Sequence, residues 1–200
     1  MPRIVAVLAA LLMVMLPLAR AGGGGWSDRV AVPRAAEREV ERWPSRSRTA
    51  ARVTMARYGM PDEVGEDALV WRSNGPWKRT TVHRRAWLRY AFGAEPDCVE
   101  NTVAYEVPAR SLEDLARFDG RVSADPARAE LSSRAGSESV NYLILNLADE
   151  IVNGKRTVAE AKAFRARILR LADSGKASPY LAGLLFETGP AAFSRASLFP

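Results

Sequence analysis

The dipeptide Asn74-Gly75 constrains the fold of this chain more than any other feature of its sequence. It lies between two short runs of residues with a preference for β structure, 68–72 and 77–85. Asn-Gly between such runs is the strongest short-range signal for a β-hairpin, because both central residues of that tight turn need a positive φ. The sequence therefore predicts an antiparallel sheet that contains this hairpin.

Further strands are predicted downstream of the hairpin. Residues 101–107 alternate apolar and polar side chains, which is the pattern of a half-buried strand. Residues 121–124 and 130–134 form two weaker candidates, and their sequences also suit an exposed loop. The sheet is accordingly expected to have three to five strands.

Two helices are predicted between these strands and ahead of them. Ser47 is an acceptable N-cap for a helix that runs to Tyr58. Ser111 begins a shorter helix that runs to Phe118, and Asp114 three residues later resembles a capping box.

The sequence of the C-terminal part predicts a helical hairpin. Apolar residues recur at helical spacing from Glu138 until Gly154. Thr157 and Glu160 then form a capping box for a second helix that ends at Gly175. The expected fold is α+β: an antiparallel sheet of three to five strands with helices on one face and a C-terminal helical hairpin.

The first 21 residues have the pattern of an export signal. Arg3 gives a positive start, Ile4 to Leu16 is an unbroken apolar run, and Ala19-Arg20-Ala21 is a small-x-small cleavage site. The alternative is an uncleaved membrane anchor, but the apolar run is shorter than the roughly 18 to 20 residues that cross a bilayer. We therefore expect a periplasmic or secreted protein. Cleavage removes two of the 29 basic residues and lowers the formal net charge from +6 to +4.

The rest of the chain divides into a tether, one domain and a tail. The tether is expected to be flexible, with one short helix whose apolar stripe is Ala36, Val40 and Trp43. The expected organisation is a signal peptide at 1–21, the tether at 22–45, a single α+β domain at 46–188 and a loose tail at 189–200.

The number of cysteines excludes two kinds of stabilising cross-link. Cys98 is the only cysteine, so neither an intramolecular disulfide nor a zinc site built on cysteine clusters is possible. A chain of 200 residues with 48% hydrophobic residues can bury a sufficient core without either. No pattern in the sequence indicates a metal or another cofactor.

Positive charge is concentrated in the predicted hairpin. Residues 71–90 contain six basic residues and no acid, interleaved with three tryptophans. Such a stretch is typical of a surface that contacts an envelope protein or an anionic membrane, whereas export argues against nucleic acid as the partner. The alternative is a solvated face without a partner. The candidate binding residues are Trp77, Arg79, Arg84, Arg85 and Trp87.

A second candidate site is polar and consists of His83, Cys98 and Asn141. A thiol near an imidazole can be activated as a thiolate, although a lone cysteine is as often a small buried hydrophobe. Asn141 lies inside the apolar arc of its helix. It is either a buried amide that satisfies backbone or ligand groups or, as its place in the first turn favours, a helix cap.

Several segments resemble a family of uncharacterised exported bacterial proteins. The resemblance is carried by residues 58–64, 69–71 and 74–80 and by 146–158 in the C-terminal helices, and it covers about residues 50–171. It implies export and a shared fold but no reaction.

A weaker, local resemblance is to the small lipoproteins that assist outer-membrane barrel assembly. It rests on a helix followed by Gly59-Met60-Pro61-Asp62, a strand and Trp71. The chain departs from that family because it has no cysteine just after the signal and because it has additional C-terminal helices. The resemblance implies helices beside an antiparallel sheet and a role in protein interaction.

Two functions from different classes remain open at the level of sequence. The first is a non-enzymatic interaction module of the envelope, whose basic hairpin contacts a partner. The second is a small-ligand binder or enzyme with a pocket between sheet and helices. A flat aromatic, basic face favours the first, and a pocket that gathers polar groups such as His83 or Asn141 favours the second.

Overall fold

The structure is a computed structural model that describes residues 35–87 and 97–189. The predicted signal peptide, most of the tether and the last eleven residues lie outside this range. None of the helices within it is long and apolar enough to cross a membrane. The helices are α1 (residues 35–41), α2 (Ser45–Tyr58), α3 (Leu112–Phe118), α4 (Glu138–Val152), α5 (Val158–Asp173) and α6 (Pro179–Ala182), with a 3₁₀ turn at Ala109–Ser111. The strands are β1 (Glu63–Val64), β2 (Ala68–Asn74), β3 (Trp77–Trp87), β4 (Asp97–Ala104), β5 (Val122–Asp125) and β6 (Glu130–Ala135).

The fold is α+β, and its sheet is antiparallel throughout, with the strand order β1-β2-β3-β4-β6-β5. Six strands replace the expected three to five. The additional strand is β1, which has two residues and pairs with β2. So short a segment carries no periodicity that a sequence pattern can detect. β4 also begins and ends earlier than the predicted 101–107, because it pairs with β3 from Asp97 and with β6 only as far as Ala104.

The predicted hairpin is confirmed, but its turn differs from the one expected. Asn74 pairs with Trp77, so Gly75 and Pro76 are the two central residues of the turn. Gly75 has a φ of +60°, which a first central glycine allows and which suits a type II′ turn. Asn74 is a strand residue instead. A Cβ at position 75 would also lie 3.2 Å from the Tyr58 ring, so this turn packs closely on α2.

The helices α2 and α4 cover the same face of the sheet. Two separate apolar clusters lie beneath them. The first lies under α1 and α2 and contains Leu69, Trp71 and Val82 of the sheet. The second lies around α4 and contains Val103 and Leu131. Polar residues of β3 and β4 lie between the two clusters.

The N-terminal helices are docked more firmly than a tether would be. The apolar stripe of α1 and the residues that follow it is buried: Ala36 is 0%, Val40 1% and Trp43 3% exposed. The packed structure therefore begins ahead of the boundary predicted at residue 46. Ser47 is not the N-cap of α2 but a buried residue within it, and its hydroxyl donates to the carbonyl oxygen of Arg84 at 2.8 Å.

Helix α4 is buried on nearly all sides. The polar face predicted for it is covered as well, and Tyr142, Asn146 and Asp149 are each less than 7% exposed. Trp77 of β3 stacks on Tyr142, and Asp149 accepts from the Tyr105 hydroxyl at 2.8 Å. Helix α6 packs on α4, and Asn146 donates to the carbonyl oxygen of Gly183, just after α6, at 2.9 Å.

Helix α5 begins with the predicted capping box. The Thr157 hydroxyl accepts from the Glu160 amide, and the Glu160 carboxylate accepts from the Thr157 amide. The helix packs on α3 as well as on α4, and the predicted C-terminal helical hairpin is not confirmed.

Candidate functional site

A pocket of about 510 Å³ lies between α2, the strands β3 and β4 and the first residues of α4. Its size falls within the range of about 300–1,000 Å³ that is usual for small-ligand sites. The wall on the α2 side contains exposed residues, among them Ser45, Thr49 and Val53. The floor is buried and contains Thr80, Cys98, Val99 and Asn101.

The carboxylate of Glu138 forms hydrogen bonds and an ion pair with side chains of α2, β3 and α4 around the pocket. Its Oε1 atom accepts hydrogen bonds from the Tyr58 hydroxyl and from Trp77 Nε1, the latter at 2.5 Å. Tyr142 donates to the same oxygen at 3.4 Å, and Oε2 pairs with Arg57 at 2.7 Å. Burial and the adjacent Glu138 carboxylate raise the pKa of Tyr58, which keeps its hydroxyl protonated as a donor.

A chain of buried side-chain amides and hydroxyls forms the polar floor. Asn141 donates to Asn101 Oδ1 at 2.7 Å and to the Val99 carbonyl oxygen at 2.9 Å. Asn101 in turn donates to Thr80 Oγ1 at 2.9 Å, and Asn74 donates to the same hydroxyl oxygen at 2.9 Å. Asn141 is therefore the buried amide of the two alternatives and not a cap, because Ser137 caps α4.

Cys98 lines the pocket as a buried thiol, 2% exposed. Burial raises the pKa of its thiol, and this effect outweighs the opposing influence of Arg134 and of the hydrogen bond with Ser47. At neutral pH the thiol is accordingly protonated and weakly nucleophilic.

We expect native Cys98 to react with iodoacetamide at pH 7.5 more slowly than the same thiol in urea, because the thiolate is the reactive form and the native thiol is both buried and raised in pKa. Mass spectrometry of timed, quenched samples measures the two rates, and glutathione provides the reference for reagent activity. Native labelling as fast as in urea would contradict a raised pKa.

His83 and Cys98 do not form a nucleophile and base pair. His83 lies on the opposite face of the sheet, where its Nε2 contacts Glu100 Oε2 at 2.9 Å. The hydrogen bond with His83 is the main reason why the pKa of Glu100 is below its usual value. Of the predicted polar site, Cys98 lines the pocket, Asn141 lies behind its floor, where it donates to Asn101, and His83 lies outside it.

The predicted basic hairpin is placed differently from the expected binding surface. Trp77 is buried, 2% exposed, and stacks on Tyr142, so it is unable to contact a partner, which corrects the expectation for that residue. Arg79 pairs with the buried Glu130 at 3.2 Å, and Arg84 pairs with Glu66 at 3.4 Å.

The other two candidate binding residues of the hairpin are Arg85 and Trp87. Arg85 is exposed, and its carbonyl oxygen accepts from Arg134 at 2.6 Å. The side chain of Trp87 lies outside what the structure describes. A contact between the remaining arginines and an envelope protein or anionic membrane stays a prediction.

The sequence patterns singled out Cys98 but missed the residues around Glu138 that join the pocket walls. In the sequence, Glu138 indicates only the start of a helix. Arg57 and Tyr58 indicate only the last turn of another helix, α2. Their meeting depends on contacts that span 80 residues of chain, for which a single sequence carries no signal.

No group of three or more histidine, cysteine or acidic side chains in the described part of the chain is arranged to hold a metal ion. Comparison with protein-family models, with curated proteins and with solved structures finds no match, so the resemblances noted above stay predictions.

Proposed function

We propose that this chain is an exported protein that binds a small organic ligand in the pocket between α2 and the sheet. The observation that carries the proposal is a cavity of about 510 Å³ in which apolar side chains such as Val53 and Val99 lie beside fixed polar groups. Export rests on the N-terminal pattern of charged, apolar and small residues.

Fixed polar groups support binding because they orient a ligand without having to be ordered first. Thr80 and Asn101 are 1% and 0% exposed and hydrogen-bonded to each other. Glu138 is held by three aromatic side chains and one arginine. Binding is favoured over catalysis, since the pocket's thiol has a raised pKa and the imidazole lies on the other face of the sheet.

A thermal-shift screen of small organic compounds tests the proposal. A compound at one hundred times its Kd stabilises the folded chain by about 2.7 kcal/mol, which raises Tm by several degrees. The variant Thr49→Trp places a large side chain at an exposed position of the pocket wall and is expected to abolish the shift. The matched control is Ala56→Trp, at an exposed position of α2 outside the pocket.

The proposal fails if no compound stabilises the parent, or if stabilisation is equal in Thr49→Trp and Ala56→Trp. Equal loss in both variants also counts against it, because that result means that α2, and not the pocket, is perturbed.

A further inference from the structure

We infer that the ligand of this pocket is an uncharged, largely apolar molecule with at most one weak polar group. The inference rests on the proposed function and adds the chemical class of the ligand. Three features of the lining residues support it. Their charges are compensated within the protein, their buried polar groups are hydrogen-bonded within it, and aliphatic side chains form the surface that remains for a ligand.

The charges that line the pocket are compensated by the protein itself. Arg57 pairs with Glu138 Oε2 at 2.7 Å, and its guanidinium group also lies 5.4 Å from the centroid of the Tyr58 ring. The other oxygen of Glu138 accepts from Trp77 and two tyrosines. Arg46, which also lines the pocket, has an interaction partner of its own. A charged ligand would therefore displace one of these partners or leave water without a counter-charge, and both cost free energy.

The threonine hydroxyls on the α2 wall are bonded to their own helix. Thr49 Oγ1 donates to the Ser45 carbonyl oxygen, and Thr54 Oγ1 donates to the Ala50 carbonyl oxygen, both at 2.9 Å. A hydroxyl has one proton, and a bond to the carbonyl four residues earlier uses it. These two side chains line the pocket without offering a ligand a hydrogen-bond donor.

The polar groups of the buried floor are engaged in the same way. Thr80 Oγ1 accepts from Asn74 and Asn101, each at 2.9 Å, and Asn74 Oδ1 is the adjacent acceptor for the Thr80 proton. Asn101 Oδ1 accepts from Asn141 at 2.7 Å. The floor thus uses its hydrogen-bonding capacity mainly to hold the shape of the pocket.

No buried side-chain nitrogen or oxygen atom of a lining residue lacks a hydrogen-bond partner. Within residues 35–87 and 97–189, four side chains have such an unpartnered atom: Trp43, Asn74, Ser133 and Asn141. None of the four lines the pocket. A site for a strongly hydrogen-bonding ligand directs a few polar groups at that ligand, whereas the polar groups of this pocket are directed at one another.

Aliphatic side chains form the surface that a ligand would cover. Val99 is buried in the floor, and Ala50 and Val53 lie on the α2 wall. Val53 is 62% exposed, so a ligand that covers it removes apolar surface from water. Such burial is favourable in proportion to the apolar area and needs neither charge nor hydrogen bonds on the ligand.

Two matched pairs of probes separate charge from apolar contact. N-phenylnaphthylamine and anilinonaphthalene sulfonate share one ring skeleton, and only the second is charged. Fluorescence titration of the parent protein is expected to give the uncharged dye a Kd roughly tenfold lower than that of the sulfonate. Dibutyl ether and dibutylamine differ by a positive charge in the middle of the chain at neutral pH. The ether is expected to displace the uncharged dye at a roughly tenfold lower concentration than the amine.

Two variants of α2 test which surface the ligand contacts. Val53→Asn puts an amide on the exposed apolar wall and is expected to raise the Kd of the uncharged dye several-fold. Met60→Asn is the control, because Met60 is an exposed apolar residue outside the pocket, and it is expected to leave that Kd unchanged. Thr49→Val keeps the shape of the side chain and removes the hydroxyl that bonds Ser45, so binding is expected to be unchanged or tighter.

The inference is overturned if the sulfonate or the amine binds as tightly as its uncharged counterpart, or if Val53→Asn and Met60→Asn have equal effects. Loss of dye binding in Thr49→Val also overturns it, because the hydroxyl would then contact the ligand. Dye binding that persists in Thr49→Trp lies outside the pocket and overturns it too. The proposed function survives these results if another compound gives a thermal shift that Thr49→Trp abolishes, and it fails if no compound does.

Discussion

Replacing Trp77 by alanine is expected to lower the free energy of unfolding by about 3–5 kcal/mol. The indole is 2% exposed and stacks on Tyr142 with ring centroids 4.7 Å apart. Its Nε1 also donates to Glu138 Oε1 at 2.5 Å, and loss of that donor leaves a largely buried carboxylate oxygen with fewer partners. Since small domains are stable by only about 5–15 kcal/mol, this single change removes a large part of the total.

Urea unfolding followed by far-UV circular dichroism measures the loss. Trp77→Phe keeps an aromatic ring against Tyr142 but removes the hydrogen bond and part of the buried ring system, so its expected cost is smaller than that of alanine, about 2 kcal/mol. The matched surface control is Val53→Ala, which lies at an exposed position and is expected to change stability by less than about 0.5 kcal/mol. A loss below about 1 kcal/mol for Trp77→Ala would mean that the indole lies on the surface of the hairpin.

The second large effect is expected for Asp119→Ala, at about 3 kcal/mol. Asp119 is 7% exposed and lies at the end of α3. Its carboxylate accepts from Arg121 Nε and Nη2, both at 3.1 Å, and from Arg165 of α5. Removing the carboxylate leaves two guanidinium groups that are each less than a quarter exposed without this partner. Arg121 keeps its pair with Asp97 at 3.9 Å, so the cost arises mainly from the partly buried charge of Arg165, which loses Asp119.

Asp114→Ala is the matched control, because it removes an aspartate from the same helix that pairs with an exposed arginine, Arg117. Exposed ion pairs contribute little, so the expected change is below about 1 kcal/mol. Asp119→Asn, which retains the side-chain shape but not the charge, is expected to fall between the two. Equal stability of the Asp119→Ala and Asp114→Ala variants in urea would show that the link between α3 and α5 is not stabilising.

Features that depend on neighbouring residues alone were predictable from the sequence. The capping box of Thr157 and Glu160 needs only two residues three apart, and the structure confirms it. The hairpin is confirmed for the same reason, although Asn74 leaves the centre of the turn because its amide bonds the buried Thr80 hydroxyl. The antiparallel character of the sheet follows from such local connections.

Features that depend on distant residues were not predictable. The sequence of an arginine-rich hairpin does not indicate which face of the sheet its tryptophan side chain lies on. Trp77 lies on the buried face, where it stacks on Tyr142 and donates a hydrogen bond to Glu138, both in α4. The pocket depends on the same long-range contacts. The helical pattern of α4 predicts that Asn146 faces solvent. The C-terminal segment covers it instead, and the Asn146 amide forms hydrogen bonds with the backbone of Gly183 and Leu185. Amphipathic patterns assume one covered face, and α4 has more than one.

The division of the apolar core into two clusters has a consequence for how the molecule opens. The cluster under α1 and α2 is the smaller one, whereas the cluster around α4 joins the sheet to several helices. Local opening therefore separates α1 and α2 from the sheet at a lower free energy than it separates α4, and their amide protons exchange with solvent sooner. The pocket lies between α2 and the start of α4, so a ligand bound there would hold these two helices together, and slower deuterium uptake in α2 would report its occupancy.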